Sequence, residues 1–285
     1  MFVASSFSIY NYDTDFYELL KNGTVKVHIA DITSLGSEGI VRLSNDTEIK
    51  TDAMICATGW KSTAPIKFLP EGIEAELGVP HIPSPSEPND LVERADKDIL
   101  SRWPRLRDPP VQNKNFVPFT EQKGVVATSE GDKKASNLTP WRLYRFVIPS
   151  SPSLVRRRDI AFAGMMMNFN IPTNAHVQSL WIHAYFLGRG LALPNVEDDV
   201  ERNRMQYETV LHSRFGKWRY TAGQGSHFPD HVFDAQPYID LLVGDLGLQK
   251  HRKGGMLKEM WEPYGPQDYV DAVDEWKQKH HISEL

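Results

Sequence analysis

The nine residues from Asp52 to Trp60 (DAMICATGW) constrain this chain more than any other stretch. The run Ala53 to Ala57 is too short for a lone helix and is closed by Thr58-Gly59. It predicts a strand buried on both faces, as inside a parallel sheet. Two meanings of the strand tip stay open. It is either a core strand followed by a turn glycine, or one edge of a ligand crevice at the carboxyl end of an open α/β sheet, where Gly59 lets the backbone approach a cofactor.

Composition narrows the partners. At 285 residues the chain can bury a sizeable core. Its net charge is −5 and acidic and basic residues are interspersed, which disfavours nucleic acid and anionic membrane surfaces. The basic cluster Arg156-Arg157-Arg158 reads as a solvated turn. The single cysteine, Cys56, excludes an internal disulfide framework and, lying inside the predicted strand, reads as a small buried hydrophobe. The amino terminus has no basic region before a long apolar stretch, and no segment approaches membrane-spanning length, so a cytoplasmic location without a transmembrane segment is expected. The three Asn-x-Thr matches at Asn22, Asn45 and Asn137 carry no meaning without secretion, and Ser283-Glu284-Leu285 lacks the lysine of a peroxisomal tripeptide.

Three regions follow from the texture of the chain: residues 1–64, 65–150 and 151–285. In the first, residues 13 to 22 predict a short helix capped by Asp13 or Thr14 and stopped at Gly23. Val25 to Ile29 alternates as a strand, and residues 39–43 and 47–50 flank the turn Ser44-Asn45-Asp46 as a hairpin. In the second, prolines recur from Pro65 to Pro118, with one helix started at Asn89 or Asp90 and ended by Trp103 before Pro104. Residues 121–137 read as a surface loop, and Thr139-Pro140-Trp141 as the start of another short helix.

The third region repeats the opening logic. Asp159 to Gly164 is a short apolar run ending in glycine, and reads as a second strand. After the loop from Met165 to Pro172, Thr173 or Asn174 would cap a helix whose apolar residues Val177, Leu180, Trp181, Ala184 and Leu187 share a face, with Gly188 at its end. Strand, glycine, loop and helix amino terminus together suit an anion or a polar ring edge, although a plain connection has the same signature. Helices are expected over 197–217 and 236–246, a loop over 223–231, and a turn-rich segment with a terminal helix after Trp261. His227 and His231 flank Pro229 and make no helical metal pair. His176 and His183 lack a third ligand and read as interface or surface histidines, so no metal site is expected.

These residues carry a family resemblance. The pattern from Phe16 through His28, the hairpin, and Thr51 to Trp60 with its D-x-apolar-x-x-A-T-G-aromatic order resembles flavin-containing monooxygenases, fungal FAD-dependent members included. Phe162-Ala163-Gly164, Pro172 and Ala175 to Trp181 are similar to the same family's later strand and its helix bearing a glutamine near the flavin. Tyr264 to Trp276 resembles fungal members again. The resemblance covers most of the chain and is loose over 65–150. It implies an α/β fold: an incomplete two-dinucleotide-binding (Rossmann-like) flavoprotein with a helical carboxyl-terminal region.

By the same resemblance, FAD and NADPH are the implied cofactors and oxygenation of a small organic molecule, in secondary metabolism, the implied reaction. Ala57, Thr58 and Gly59 would link the cofactor-binding parts, Gly164 would allow close backbone approach, the Thr173-Asn174 helix start would face the pyrimidine side of the flavin, and Gln178 would hydrogen-bond nearby. Neither G-x-G-x-x-G turn of such enzymes occurs in the sequence. The expectation is therefore a carboxyl-terminal portion. Its activity would need a protein supplying the other half; the alternative is an inactive fragment that binds another protein through apolar faces.

Overall fold

The computed structural model describes residues 13, 15–57, 66–85, 89–108, 138–166, 168, 170–220, 231 and 233–282. Thr58, Gly59 and Trp60, the loop expected over 121–137 and most of that over 223–231, His227 included, lie outside them. The described residues fall into two compact units, one up to residue 66 and one comprising residues 67–108 and 138–282.

In the first unit, helix α1 (Phe16–Lys21) starts at Asp15, whose carboxylate accepts from the backbone N–H of Tyr17 at 2.9 Å and Glu18 at 3.3 Å. A three-stranded antiparallel meander follows: β1 (Ile32–Leu35), β2 (Ile40–Leu43) and β3 (Glu48–Lys50), in that order. The β2–β3 hairpin forms as expected, with Val41 opposite Ile49 and Asp46 at φ 63° in the turn. Gly39 has φ +74°, and a Cβ there would lie 2.1 Å from the Thr51 carbonyl oxygen, so the entry to β2 requires glycine.

Two strand expectations fail here. Residues 25–29 join no sheet among the described residues, the Val25 N–H instead donating to the Leu19 carbonyl at 3.0 Å behind α1, and β1 forms farther along. Residues 52–57 are neither a strand nor buried: Ile55 is 92% exposed, and Cys56 is exposed rather than packed. The reason is physical. A strand exists by pairing, and among the described residues none lies in register beside 52–57, so an apolar run alone cannot bury itself. Both sheets among the described residues are antiparallel, and the parallel sheet implied by this run is not formed among them.

The second unit is mainly helical. Its helices are α2 (Glu74–Leu77), α3 (Asp90–Arg102), α4 (Pro152–Arg157), α5 (Ile171–Leu187), α6 (Asp199–Arg219), α7 (Ala235–Asp245), α8 (Met256–Trp261) and α9 (Ala272–His280). Helix α3 ends at Trp103 before Pro104, and α5 ends at Gly188 with φ +76°, both as the sequence predicts. Arg156 and Arg157 form the last turn of α4, not a free turn, and Arg158 is its left-handed cap.

Thr139-Pro140-Trp141 starts no helix. The Thr139 hydroxyl accepts from the His81 N–H at 3.1 Å, the Thr139 N–H donates to the His81 carbonyl at 2.8 Å, and the Arg142 N–H donates to the Gly78 carbonyl at 2.8 Å. These tertiary bonds hold the segment extended and outcompete a local cap. It leads into a tight hairpin, β4 (Leu143–Tyr144) and β5 (Ile148–Pro149), whose turn residues Arg145 and Phe146 both have positive φ.

Asp159 to Gly164 likewise runs extended without joining a sheet, yet it is anchored. The Phe162 N–H donates to the Val147 carbonyl at 2.7 Å, and Ile160 and Phe162 pack on a core of Leu77, Val79, Trp141, Leu143 and Leu154. The main core joins the β4–β5 hairpin to α5, α7 and α9 through Phe146, Trp181, Tyr185, Ile239, Leu242 and Trp276.

Candidate functional site

Gly164 and the start of α5 form the site. Asn170 flanks the helix, with Pro172 in the first turn, so the helix begins before the expected caps Thr173 and Asn174. Thr173 instead donates its hydroxyl to the Asn170 side chain at 2.8 Å, and Asn168 accepts from the Asn170 N–H at 2.9 Å. Asn168, Thr173 and Asn174 are buried around the partly exposed Asn170, and two side-chain atoms have no hydrogen-bond partner among the described residues: Nδ2 of Asn168 (4% exposed) and Oδ1 of Asn174 (5% exposed). An unpaired buried amide atom costs about 1–3 kcal/mol, so two at one helix end mark a place built to receive a donor and an acceptor from elsewhere.

Gly164 is tied to the same helix one turn on, at Gln178. Its φ is +72°, and the space where a Cβ would stand holds nothing within 4 Å. Its N–H donates to Gln178 Oε1 at 2.8 Å. Gln178 Nε2 donates to the Tyr238 hydroxyl at 3.1 Å, and that hydroxyl donates to the Arg145 carbonyl at 2.7 Å. Both ends of the Gln178 amide are therefore engaged by protein, and its role is to hold Gly164. Burial pushes the Tyr238 phenol up, against the opposing Gln178 bond, so it stays a neutral donor.

Beneath this chain of bonds sits a buried ion pair. Arg145 donates to both carboxylate oxygens of Asp245, at 2.8 and 3.1 Å, and to Glu208 at 3.0 Å, while Trp181 Nε1 donates to Asp245 at 3.1 Å. Burial disfavours the guanidinium charge, but the Asp245 bonds outweigh it and raise the Arg145 pKa. The pair fixes the hairpin against α6 and α7, and with it the carbonyl that orients Tyr238.

Of the residues singled out in the sequence, Gly164, Asn174 and Gln178 come together here. Ala57 lies exposed in the other unit, and Thr58 and Gly59 lie outside the described residues. Asn168, Tyr238 and Arg145 were missed. Asn168 had a signal, being a polar residue set among Met and Phe in a loop; Tyr238 and Arg145 act through contacts 60 and 93 residues away in sequence and had none. Among the described residues no group of His, Cys, Asp or Glu could hold a metal ion, and no helix is long and apolar enough to cross a membrane.

An open glycine bonded to the helix that carries an orphaned amide atom, with a second in the loop before it, fits the polar edge of a flat heterocycle, and almost the whole chain matches known proteins. The sequence is 31% identical over 92% of its length to an FAD-dependent monooxygenase of Aspergillus nomiae (rstn6) and, again at 31% over 92%, to one of Aspergillus sclerotiorum (resA). The chain resembles fungal FAD-dependent monooxygenases. A third such relative, from Aspergillus versicolor (avaB), is 29% identical over 93% of the chain. The chain spans about 40% of the length of these monooxygenases, at 41%, 42% and 38% respectively. No protein-family model and no solved structure matches it.

Proposed function

We propose that this chain forms part of an FAD- and NADPH-dependent monooxygenase that oxygenates a small organic molecule in secondary metabolism. The observation that carries the reading is the pairing of Gly164, held open by Gln178, with the orphaned Asn168 and Asn174 amides at the start of α5. Those amides would meet the polar edge of the flavin, the positive end of α5 would favour electron density there, and Gly164 would let the ring approach the backbone. Bound FAD supplies the redox and oxygen-transfer chemistry, and the residues of this chain bind and orient it. In the completed α/β flavoprotein, Ala57, Thr58 and Gly59 would join the cofactor-binding parts.

Because the sequence has no G-x-G-x-x-G turn, the pyrophosphate contacts are assigned to residues outside these 285. The test is reconstitution. The purified chain is expected to be colourless. Co-expressed with a polypeptide carrying both glycine-rich turns, it should retain flavin and oxidise NADPH, and Asn174→Leu should weaken flavin retention. An assembly that holds no flavin, or one whose flavin affinity ignores Asn174→Leu, would overturn the reading.

A further inference from the structure

A cavity of about 440 Å³ opens in the helical unit between the end of α3, the β4–β5 turn, α6 and α7. That volume lies within the range of about 300–1,000 Å³ typical of small-molecule sites. Its walls are ring faces and aliphatic carbon: Trp103, Leu106, Phe146, Phe215, Tyr238 and Leu241. Trp103 and Phe215 have centroids 5.3 Å apart, and Phe146 stands 5.9 Å from Tyr238 and 5.2 Å from His231. An adjoining hollow of about 260 Å³ shares Trp103, His212 and Phe215.

Among the described residues the polar part of the lining is small, and its two charges, on Arg219 and Asp234, are opposite. Arg219 is held by Asp234 through two bonds, at 2.5 and 2.8 Å, and Asp234 also accepts from the Tyr220 hydroxyl at 2.6 Å. The imidazoles of His212 and His231 are neutral at pH 7, because burial pushes their pKa values down to about 3 and about 4. One polar atom is left over: His231 Nε2 is buried with no partner among the described residues. A charged ligand would find no net charge among the described lining residues to meet it, whereas a hydroxyl can donate to or accept from Nε2 in either tautomer.

We propose that this cavity binds an uncharged aromatic molecule bearing a hydroxyl group, with the ring against Phe146 and Phe215 and the hydroxyl on His231 Nε2. Aromatic walls select a flat apolar body, and the orphaned His231 nitrogen selects a polar substituent. The cavity is also wired to the candidate flavin cradle. Tyr238 forms part of its wall and accepts from Gln178, which in turn accepts from the Gly164 N–H. Resting on the monooxygenase reading, this assigns the substrate class of that reaction.

The test is equilibrium dialysis of the flavin-free chain against 2-naphthol, with naphthalene and 2-naphthoate as comparators. Saturable binding of 2-naphthol is expected, about tenfold tighter than either comparator. Leu241→Trp, which fills the cavity from α7, should abolish it, and His231→Phe should remove the preference for the naphthol over naphthalene. If Leu241→Trp fails to fold, Phe215→Ala takes its place, removing a half-buried ring wall. No saturable binding, tighter binding of the carboxylate, or an affinity unchanged by a folded cavity variant would overturn the proposal. Since no flavin is present, failure of the reconstituted assembly to hold FAD would end the monooxygenase reading and leave the cavity standing, and the reverse outcome would do the opposite.

Discussion

Two runs of this chain share one pattern and meet opposite fates. Asp52 to Ala57 and Asp159 to Gly164 are both short, apolar and followed or closed by glycine. The first lies exposed, with Ile55 almost fully in solvent. The second is pinned at Phe162 by the Val147 carbonyl and at Gly164 by Gln178, with aromatic contacts from Trp141 at 5.7 Å and Phe68 at 6.3 Å. An apolar run states only that it needs cover. Whether it obtains cover depends on what the rest of the chain sets beside it, and the helical unit has a hairpin and α5 in place for that.

Acid should have the largest effect, because it dismantles the frame around the second run. His212 and His231 are partly buried, and desolvation keeps them neutral in the folded chain by pushing their pKa values down to about 3 and about 4, against about 6.5 when unfolded. The unfolded state therefore binds more protons between these limits, so stability present above pH 6.5 is lost as pH falls toward 4. Each imidazole contributes about 1.4 kcal/mol per pH unit in that window. Urea midpoints measured from pH 7 to pH 4.5 should fall steeply, and a flat profile would show that the imidazoles are not desolvated.

Phe162→Ala comes next. Removing a partly buried ring from the Trp141 and Phe68 contacts should cost about 2–3 kcal/mol, read as a lowered urea midpoint at constant slope. Gln178→Leu follows, at about 2 kcal/mol, since it orphans the Gly164 N–H and a bond to the buried Tyr238 hydroxyl at once. Faster amide exchange at Gly164, compared with Ser179 on the exposed side of α5, would separate this loss from general loosening. Smallest of all, Ile55→Ser should change stability by no more than about 0.5 kcal/mol. A larger loss there would mean that the first run is covered after all, and would erase the contrast.

The same contrast explains what the sequence makes legible. Helices α3, α5, α6, α7 and α9 show through their periodicity, and Pro104 and Gly188 mark ends, because every interaction involved lies within a few residues. The β2–β3 hairpin shows for the same reason, with Asp46 supplying the turn. Strand status at 25–29, 52–57 and 159–164 depends on partners distant in sequence, and none of the three segments joins a sheet among the described residues. Trp141 followed a local helix-start signal that bonds to Gly78 and His81 overrode. The candidate site divides along this line too: Gly164, Asn174 and Gln178 stand out locally, whereas the Tyr238 and Arg145 links that make Gln178 a strut are long-range.

The exposure of Cys56 gives the first run a practical use. It is the only thiol in the sequence, so a maleimide fluorophore will attach at one position without any mutation. The dye would sit beside Ile55, in water in the chain by itself. Any polypeptide or ligand that comes to rest on residues 52–57 would shift its emission to the blue and shield it from iodide, so the uncovered segment can report on its own covering.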